Sequence, residues 1–103
     1  METAVRHEPD RRRFTITLDG QDIGFAEYVV KGGRYLFVHT EIDPEFGGRG
    51  FATLLIQSAM DAMRAEHSRI VALCPFVAAW IDGHPDYAEL VDTELMARIN
   101  APR

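Results

Sequence analysis

The sequence predicts an α/β domain in which an antiparallel meander runs into a strand–helix–strand crossover. Three observations carry that reading. Apolar residues alternate with period two in the first half, a glycine-rich loop at 47–50 opens an amphipathic stretch, and a continuous apolar run, Ile70-Val71-Ala72-Leu73, follows it. A chain of 103 residues has surface enough for one hydrophobic core and not for two. The expected organisation is one domain over residues 13–103 behind a polar, loosely held N-terminal tail at 1–12.

Phe14, Ile16 and Leu18 alternate with Thr15 and Thr17, which puts the apolar side chains on one face of a strand, and Asp19-Gly20 offers a turn. Residues 23–30 are rich in aromatic and β-branched side chains. Lys31-Gly32-Gly33 supplies a second reversal, and a third strand runs over 35–42. Beyond Pro44, the loop Gly47-Gly48-Arg49-Gly50 leads directly into residues 51–66. There Ala52, Leu55, Ile56, Ala59 and Met63 share one helical face while Thr53, Gln57, Asp61 and Arg64 occupy the other. The apolar run at 70–73 suits a strand covered on both faces, and the crossover makes it parallel to the third strand. Pro75 fits the first turn of a helix over 76–81 that Gly83 ends, and a last helix is expected over 87–98. Phe76 and Trp80, four apart on the first of these helices, read as core residues or as a cover for a ligand held beside that helix.

With 16 acidic and 11 basic residues the net charge is −5, which opposes nonspecific affinity for nucleic acid. Arg11-Arg12-Arg13 is the one basic run, read as a solvated stretch ahead of a strand. A single cysteine, Cys74, forms no internal disulfide and no paired-cysteine zinc site, and it fits a reducing compartment. No apolar stretch approaches the ~20 residues a bilayer requires, and the start of the chain has no hydrophobic leader region. The expectation is a cytoplasmic protein engaging neither membrane nor nucleic acid. No His, Asp or Glu spacing resembles a metal cage, so no metal is expected.

The glycine loop is the first chemical signal. Glycines opening a helix present unpaired backbone N–H groups and the positive end of the helix dipole to one small volume, which suits a phosphate, and Arg49 could add charge to a phosphate oxygen. The loop lacks the Lys-Ser/Thr pair of a P-loop and the spacing of a dinucleotide fingerprint. Gly-Gly-x-Gly also occurs in plain turns.

The segment His39-Thr40-Glu41-Ile42-Asp43-Pro44-Glu45-Phe46-Gly47-Gly48-Arg49-Gly50-Phe51-Ala52 resembles the acetyl-CoA-binding signature of the GNAT N-acetyltransferase superfamily. With Cys74-Pro75-Phe76-Val77 and His84-Pro85-x-Tyr87 it is similar to that superfamily's small single-domain members, over roughly residues 14–91. The resemblance implies a GNAT-type acyl-CoA N-acyltransferase fold, in which the strand ending at Ile42 and the strand before Cys74 splay apart and coenzyme A enters between them. It further implies that backbone at His39, Thr40, Glu41 and Ile42 pairs with the pantetheine arm. Amides of Gly47, Gly48, Arg49, Gly50, Phe51 and Ala52 would hold the pyrophosphate. His84 reads as a helix-ending turn or as a contact to the nucleotide end of the cofactor. Gly47 stands where the broad motif has Arg or Gln, and the residues following Cys74 do not show the Asn and Tyr that many larger members carry on the corresponding helix, so the usual tyrosine general acid is not evident. The short N-terminus also lacks the helices that shape their acceptor pocket. A noncatalytic module that binds coenzyme A or acetyl-CoA is therefore a second reading beside the N-acetyltransferase, and simple anion binding by the loop is a third.

Acetyl transfer to an amine requires the amine neutral. For a lysine-like amine of pKa ~10.4 the neutral fraction at pH 7 is below about one in a thousand, a penalty of roughly 4 to 5 kcal/mol. His39 and Glu41 lie two apart on one strand and so share a face. Either could accept the proton, with histidine better matched in pKa. The plain alternative is a locally satisfied strand histidine and a glutamate at the sheet rim. Cys74 ends a strand just before a helix N-terminus, an environment that favours thiolate. It could take the acetyl group itself or return a proton to the departing coenzyme A thiolate, or it could be a small packed core residue. The acidic composition favours a cationic acceptor, such as a protein lysine or a polyamine.

Overall fold

The computed structural model describes residues 2–100; Met1 and residues 101–103, which the expected tail and domain ranges include, lie outside them. Five strands, β1 (Thr3–Glu8), β2 (Arg13–Leu18), β3 (Gln21–Lys31), β4 (Arg34–Ile42) and β5 (Ile70–Ala72), form one sheet in the order β1-β2-β3-β4-β5. The helices are α1 (Phe51–Ala65), α2 (Pro75–Asp82) and α3 (Thr93–Asn100), with 3₁₀ segments at Pro9–Arg11, Pro44–Phe46 and Pro85–Leu90. The first four strands are antiparallel, and β5 returns parallel to β4 after α1, as the crossover requires.

The loosely held tail is corrected. Residues 3–8 are an edge strand paired along their whole length with β2, from Thr3↔Leu18 to Glu8↔Arg13. Pro9-Asp10-Arg11 and left-handed Arg12 (φ 53°) make the reversal. Only Val5 and His7 of this strand turn toward the core, and histidine reads as polar in any hydrophobic pattern. Yet His7 stacks on Phe14 at 4.2 Å and shares a 2.5 Å hydrogen bond with the buried Tyr28 hydroxyl. The final helix is also corrected. The 3₁₀ turn over Pro85–Leu90 ends at Val91, which bridges Ile70, and α3 starts only at Thr93. Asp92 forces the break. Its carboxylate accepts the Leu95 amide at 2.9 Å, an N-cap, and the Arg34 guanidinium at 2.8 Å; these bonds hold its pKa below the usual carboxylate range.

The core lies between one sheet face and α1. Leu55, Ile56, Ala59, Met60 and Met63 are fully buried against Phe14, Ile16, Tyr28 and Phe37; this is the face the sequence pattern predicted, with Phe51 and Met60 added and Ala52 only half-buried. Each of the leucine, isoleucine and methionine side chains contributes about 1.5–3 kcal/mol by leaving water.

Two irregularities in β4 position the site. The register shifts from Tyr28↔Phe37 to Glu27↔His39, so Val38 is an extra residue, a β-bulge. Strand side chains alternate faces, so one inserted residue exchanges them. Thr40, opposite the buried Ala26, turns toward α1, while His39 and Glu41 turn to the other face. Second, β4 pairs with β5 only at Tyr35↔Ile70, Leu36↔Val71 and Phe37↔Ala72. The amides of Leu73 and Cys74 both converge on the Phe37 carbonyl, at 3.0 and 2.8 Å, and the strands then part. β4 continues alone on that side to Ile42.

Gly24 sits where β3 and β4 approach most closely. A Cβ there would lie 2.6 Å from the Glu41 carbonyl oxygen and 2.5 Å from Ile42 Cδ1. Gly24→Ala is expected to cost about 1–3 kcal/mol of stability in urea unfolding. Gly47→Ala, whose Cβ meets the Pro44 carbonyl oxygen at 3.4 Å, serves as the near-neutral control; equal stability of the two variants would contradict this packing.

Candidate active site

A cleft of about 250 Å³ opens where β4 ends, between Ile42, the loop from Phe46 to Gly50, the first turn of α1 and Phe76 on α2. Gly48 (φ +75°) and Gly50 (φ +84°) are in the left-handed region, and a Cβ on either would meet nothing within 4 Å. The dihedrals demand glycine, and the space beside the bare backbone is open. Gly50 caps α1 without any side-chain hydrogen bond. The amides of Phe51, Ala52 and Thr53 belong to the first turn, which a helix cannot pair for itself. Arg49 reaches over the rings of Phe51 (5.2 Å) and Phe46 (5.8 Å) at the same mouth.

The structure thus brings together Ile42, Gly47, Gly48, Gly50, Phe51 and Ala52 of the residues the sequence singled out, with Arg49 beside them. The Gly47 amide, however, donates to the Pro44 carbonyl at 3.2 Å inside the 3₁₀ turn, so it closes the loop instead of facing a ligand. Sequence reasoning missed Thr53 and Phe46 and favoured the core over a ligand-covering place for Phe76. Phe76 is 40% exposed and walls the cleft. Its position in the turn directly after the strand end was the available signal.

At the point where β4 and β5 part, Cys74 is buried, 5% exposed, with its Sγ 3.5 Å from the Thr40 hydroxyl. Burial pushes the thiol up, but hydrogen bonds from the Thr40 hydroxyl and from the amides of Val77, Phe76 and Thr40 outweigh it, so its pKa is lowered. The Thr40 side chain, which the sequence left unassigned, therefore serves the thiol. His39 and Glu41 stand on the opposite sheet face, with Nε2 and Oε1 3.5 Å apart and side chains 54% and 60% exposed. The Phe25 ring lies 5.9 Å from the His39 ring. The three candidate catalytic residues are thus divided by the sheet, Cys74 on the α1 side and His39 with Glu41 on the other, and the gap between β4 and β5 joins the two sides.

His84 is placed elsewhere. It stacks on Trp80 at 3.9 Å with rings 11° from parallel, and its Nδ1 is 2.6 Å from the Trp80 carbonyl oxygen. It closes the C-terminal end of α2, while Phe76 at the other end lines the cleft. Of its two readings, the helix-ending turn describes it.

Residues 13–90 match the family described as GCN5-related N-acetyl-transferase. The chain belongs to this family. Protein NATD1 of Bos taurus is 31% identical over 83 residues, 79% of this chain and 74% of its own length. Protein NATD1 of Xenopus tropicalis is 32% identical over 84 residues, covering 79% and 76%. The solution structure of a GCN5-like protein from Staphylococcus aureus superposes with a TM-score of 0.64 at 19% identity, over 85% of this chain and 86% of that one. The ribosomal-protein-S18-alanine N-acetyltransferase of Escherichia coli gives a TM-score of 0.58 at 16% identity, over 70% and 51%. These two likenesses show the GNAT fold in this chain, including its mixed sheet. Among the described residues no helix is long and apolar enough to cross a membrane.

The lowered Cys74 pKa sets a direction for stability. An ionised thiol favoured in the folded state contributes stability that is fully present above the thiol pKa of the unfolded chain and lost as the pH falls through the folded value. Thiolate absorbance is expected to titrate at lower pH in the native protein than in urea, and Thr40→Val is expected to move the native midpoint up. A native midpoint equal to the unfolded one would contradict the assigned bonds.

Proposed function

We propose that the protein binds acetyl-CoA in the cleft between β4 and α1 and transfers the acetyl group to an amine. The observation that carries this is the continuation of β4 for five residues beyond its last pairing with β5, leading into a glycine loop with open space beside it. The residues present fit the cosubstrate. The unpaired edge of β4 offers backbone donors and acceptors to the amides of a pantetheine arm, as an added strand does. The amides around Gly48 and Gly50 to Ala52, with Arg49, face a volume suited to a diphosphate. Ile42 and Phe76 supply apolar walls.

Acetyl-CoA supplies an acetyl group activated as a thioester. The transfer forms an N–C bond and breaks the C–S bond; the amine loses one proton and the departing thiolate gains one. Glu41 and His39, on the exposed face of the sheet, accept the amine proton directly or through water. Cys74, whose thiol is more acidic than usual, is placed on the other side of the gap to give a proton to the thiolate and recover it from solvent. Its burial and its bond to Thr40 favour this role over formation of an acetyl-cysteine. One observation favours a second reading, a module that binds coenzyme A without transfer: the proposed bases stand more than half in solvent, where proton removal gains least from the protein.

Calorimetric titration with acetyl-CoA, followed by thiol release with a panel of amines, tests the proposal. Gly50→Val, which cannot relax at φ +84° and intrudes on the open space, is expected to weaken acetyl-CoA at least about tenfold. Glu41→Gln, whose backbone still lines the gap, is expected to keep acetyl-CoA affinity within about twofold and to lower kcat/KM by roughly one hundredfold. Binding without turnover on any amine would select the module, and failure to bind acetyl-CoA would overturn both readings. Acetyl-labelled Cys74 in the mass spectrum after incubation with acetyl-CoA would replace proton donation by the covalent route.

A further inference from the structure

A second cavity, of about 390 Å³, lies beside the proposed base on the same face of the sheet. It is lined by Arg13, Thr15, Asp22, Phe25, Glu41 and Asp43 among others. Most of its polar groups are already engaged. Thr15 donates to Glu8, Asp22 takes Arg6 through both carboxylate oxygens at 3.0 and 3.2 Å, and Asp43 accepts the Glu45 amide at 3.2 Å. Arg13 is the exception. In strand register it is flanked by Glu8 and Glu27, the geometry of a cross-strand ion pair. It takes neither. Its guanidinium lies over the Phe25 ring at 4.0 Å, and no carboxylate among the described residues pairs with it. Glu8 is occupied instead by Thr15, Arg6 and Arg11.

A planar guanidinium laid on an aromatic ring is held in orientation, and its remaining N–H groups form a fork suited to a carboxylate. Glu41, level with Phe25 in strand register and two strands from Arg13, lines the same cavity, and its Oε1 lies 3.5 Å from His39 Nε2. The cavity therefore has a cationic group on β2 and carboxylates toward the end of β4, Glu41, the proposed base, and Asp43. We infer that the acceptor is a small amine that also carries a carboxylate, of the free amino acid type, with its carboxylate on Arg13 and its ammonium group toward Glu41. This rests on the transferase reading and narrows it: a polyamine would satisfy only the carboxylates of the cavity.

The test compares lysine with cadaverine, which keeps both amines and lacks the carboxylate. In a nitrogen-15 correlation titration without acetyl-CoA, lysine is expected to shift the amides of Arg13, Phe25 and Glu41 at concentrations where cadaverine does not. In the transfer assay lysine is expected to have a KM at least about tenfold lower than cadaverine, and Arg13→Gln to shrink that ratio to within about twofold. Equal shifts by the two amines, or an unchanged ratio in Arg13→Gln, would overturn the inference. The titration needs neither acetyl-CoA nor turnover, so a failure of the transferase reading leaves it decisive: lysine-selective shifts at these amides support the cavity's specificity, and their absence rejects it.

Discussion

The candidate site depends on where one ladder of hydrogen bonds stops. β4 and β5 pair over three residues, and the Phe37 carbonyl then receives both the Leu73 and the Cys74 amides. With that carbonyl used twice, β5 has turned toward α2 and the last five residues of β4 face no partner strand. A backbone edge left in this way must be met by water or by a ligand. The glycine loop sits at the far end of the same edge, so the free backbone of β4 leads into the cleft at the first turn of α1.

The bulge at Val38 decides what flanks that edge. Without the bulge, regular alternation from Phe37 would put His39 and Glu41 on the Phe37 face, pointing into the core beneath α1. With it, the small polar Thr40 meets Cys74, and the titratable pair is delivered to the opposite side. In the proposed transfer a group on each side of the sheet acts through the same gap, one accepting the amine proton and the other returning a proton to the thiolate. The rest of the molecule keeps this geometry fixed. α1 is anchored by five fully buried side chains, and β1, locked by the stacking of His7 on Phe14, completes the antiparallel wall behind them.

Much of this was legible from residue patterns. Period-two alternation identified β2, the β-branched run identified β3, and the helical face of α1 was read almost residue by residue because burial there is one-sided. The Gly48-x-Gly50 signal pointed to the helix mouth because positive φ leaves glycine little competition. What escaped had physical causes. β1 offers one aliphatic residue and one histidine to the core, too little for a hydrophobic pattern. The break at Asp92 depends on Arg34, 58 residues away. A bulge is an event of register between two strands, so no property of β4 alone could show that His39 and Glu41 part from Cys74. Arg13 read as the end of a solvated basic run because its partner, Phe25, lies on another strand.

The most direct measurement of the central claim is amide hydrogen exchange, residue by residue, with and without coenzyme A. If the free edge of β4 and the helix mouth receive the cofactor, protection is expected to rise at amides within 38–42 and 48–52 while β1 and β2 stay as they were. Unchanged protection along β4, or protection confined to the cavity beside Arg13, would contradict the account.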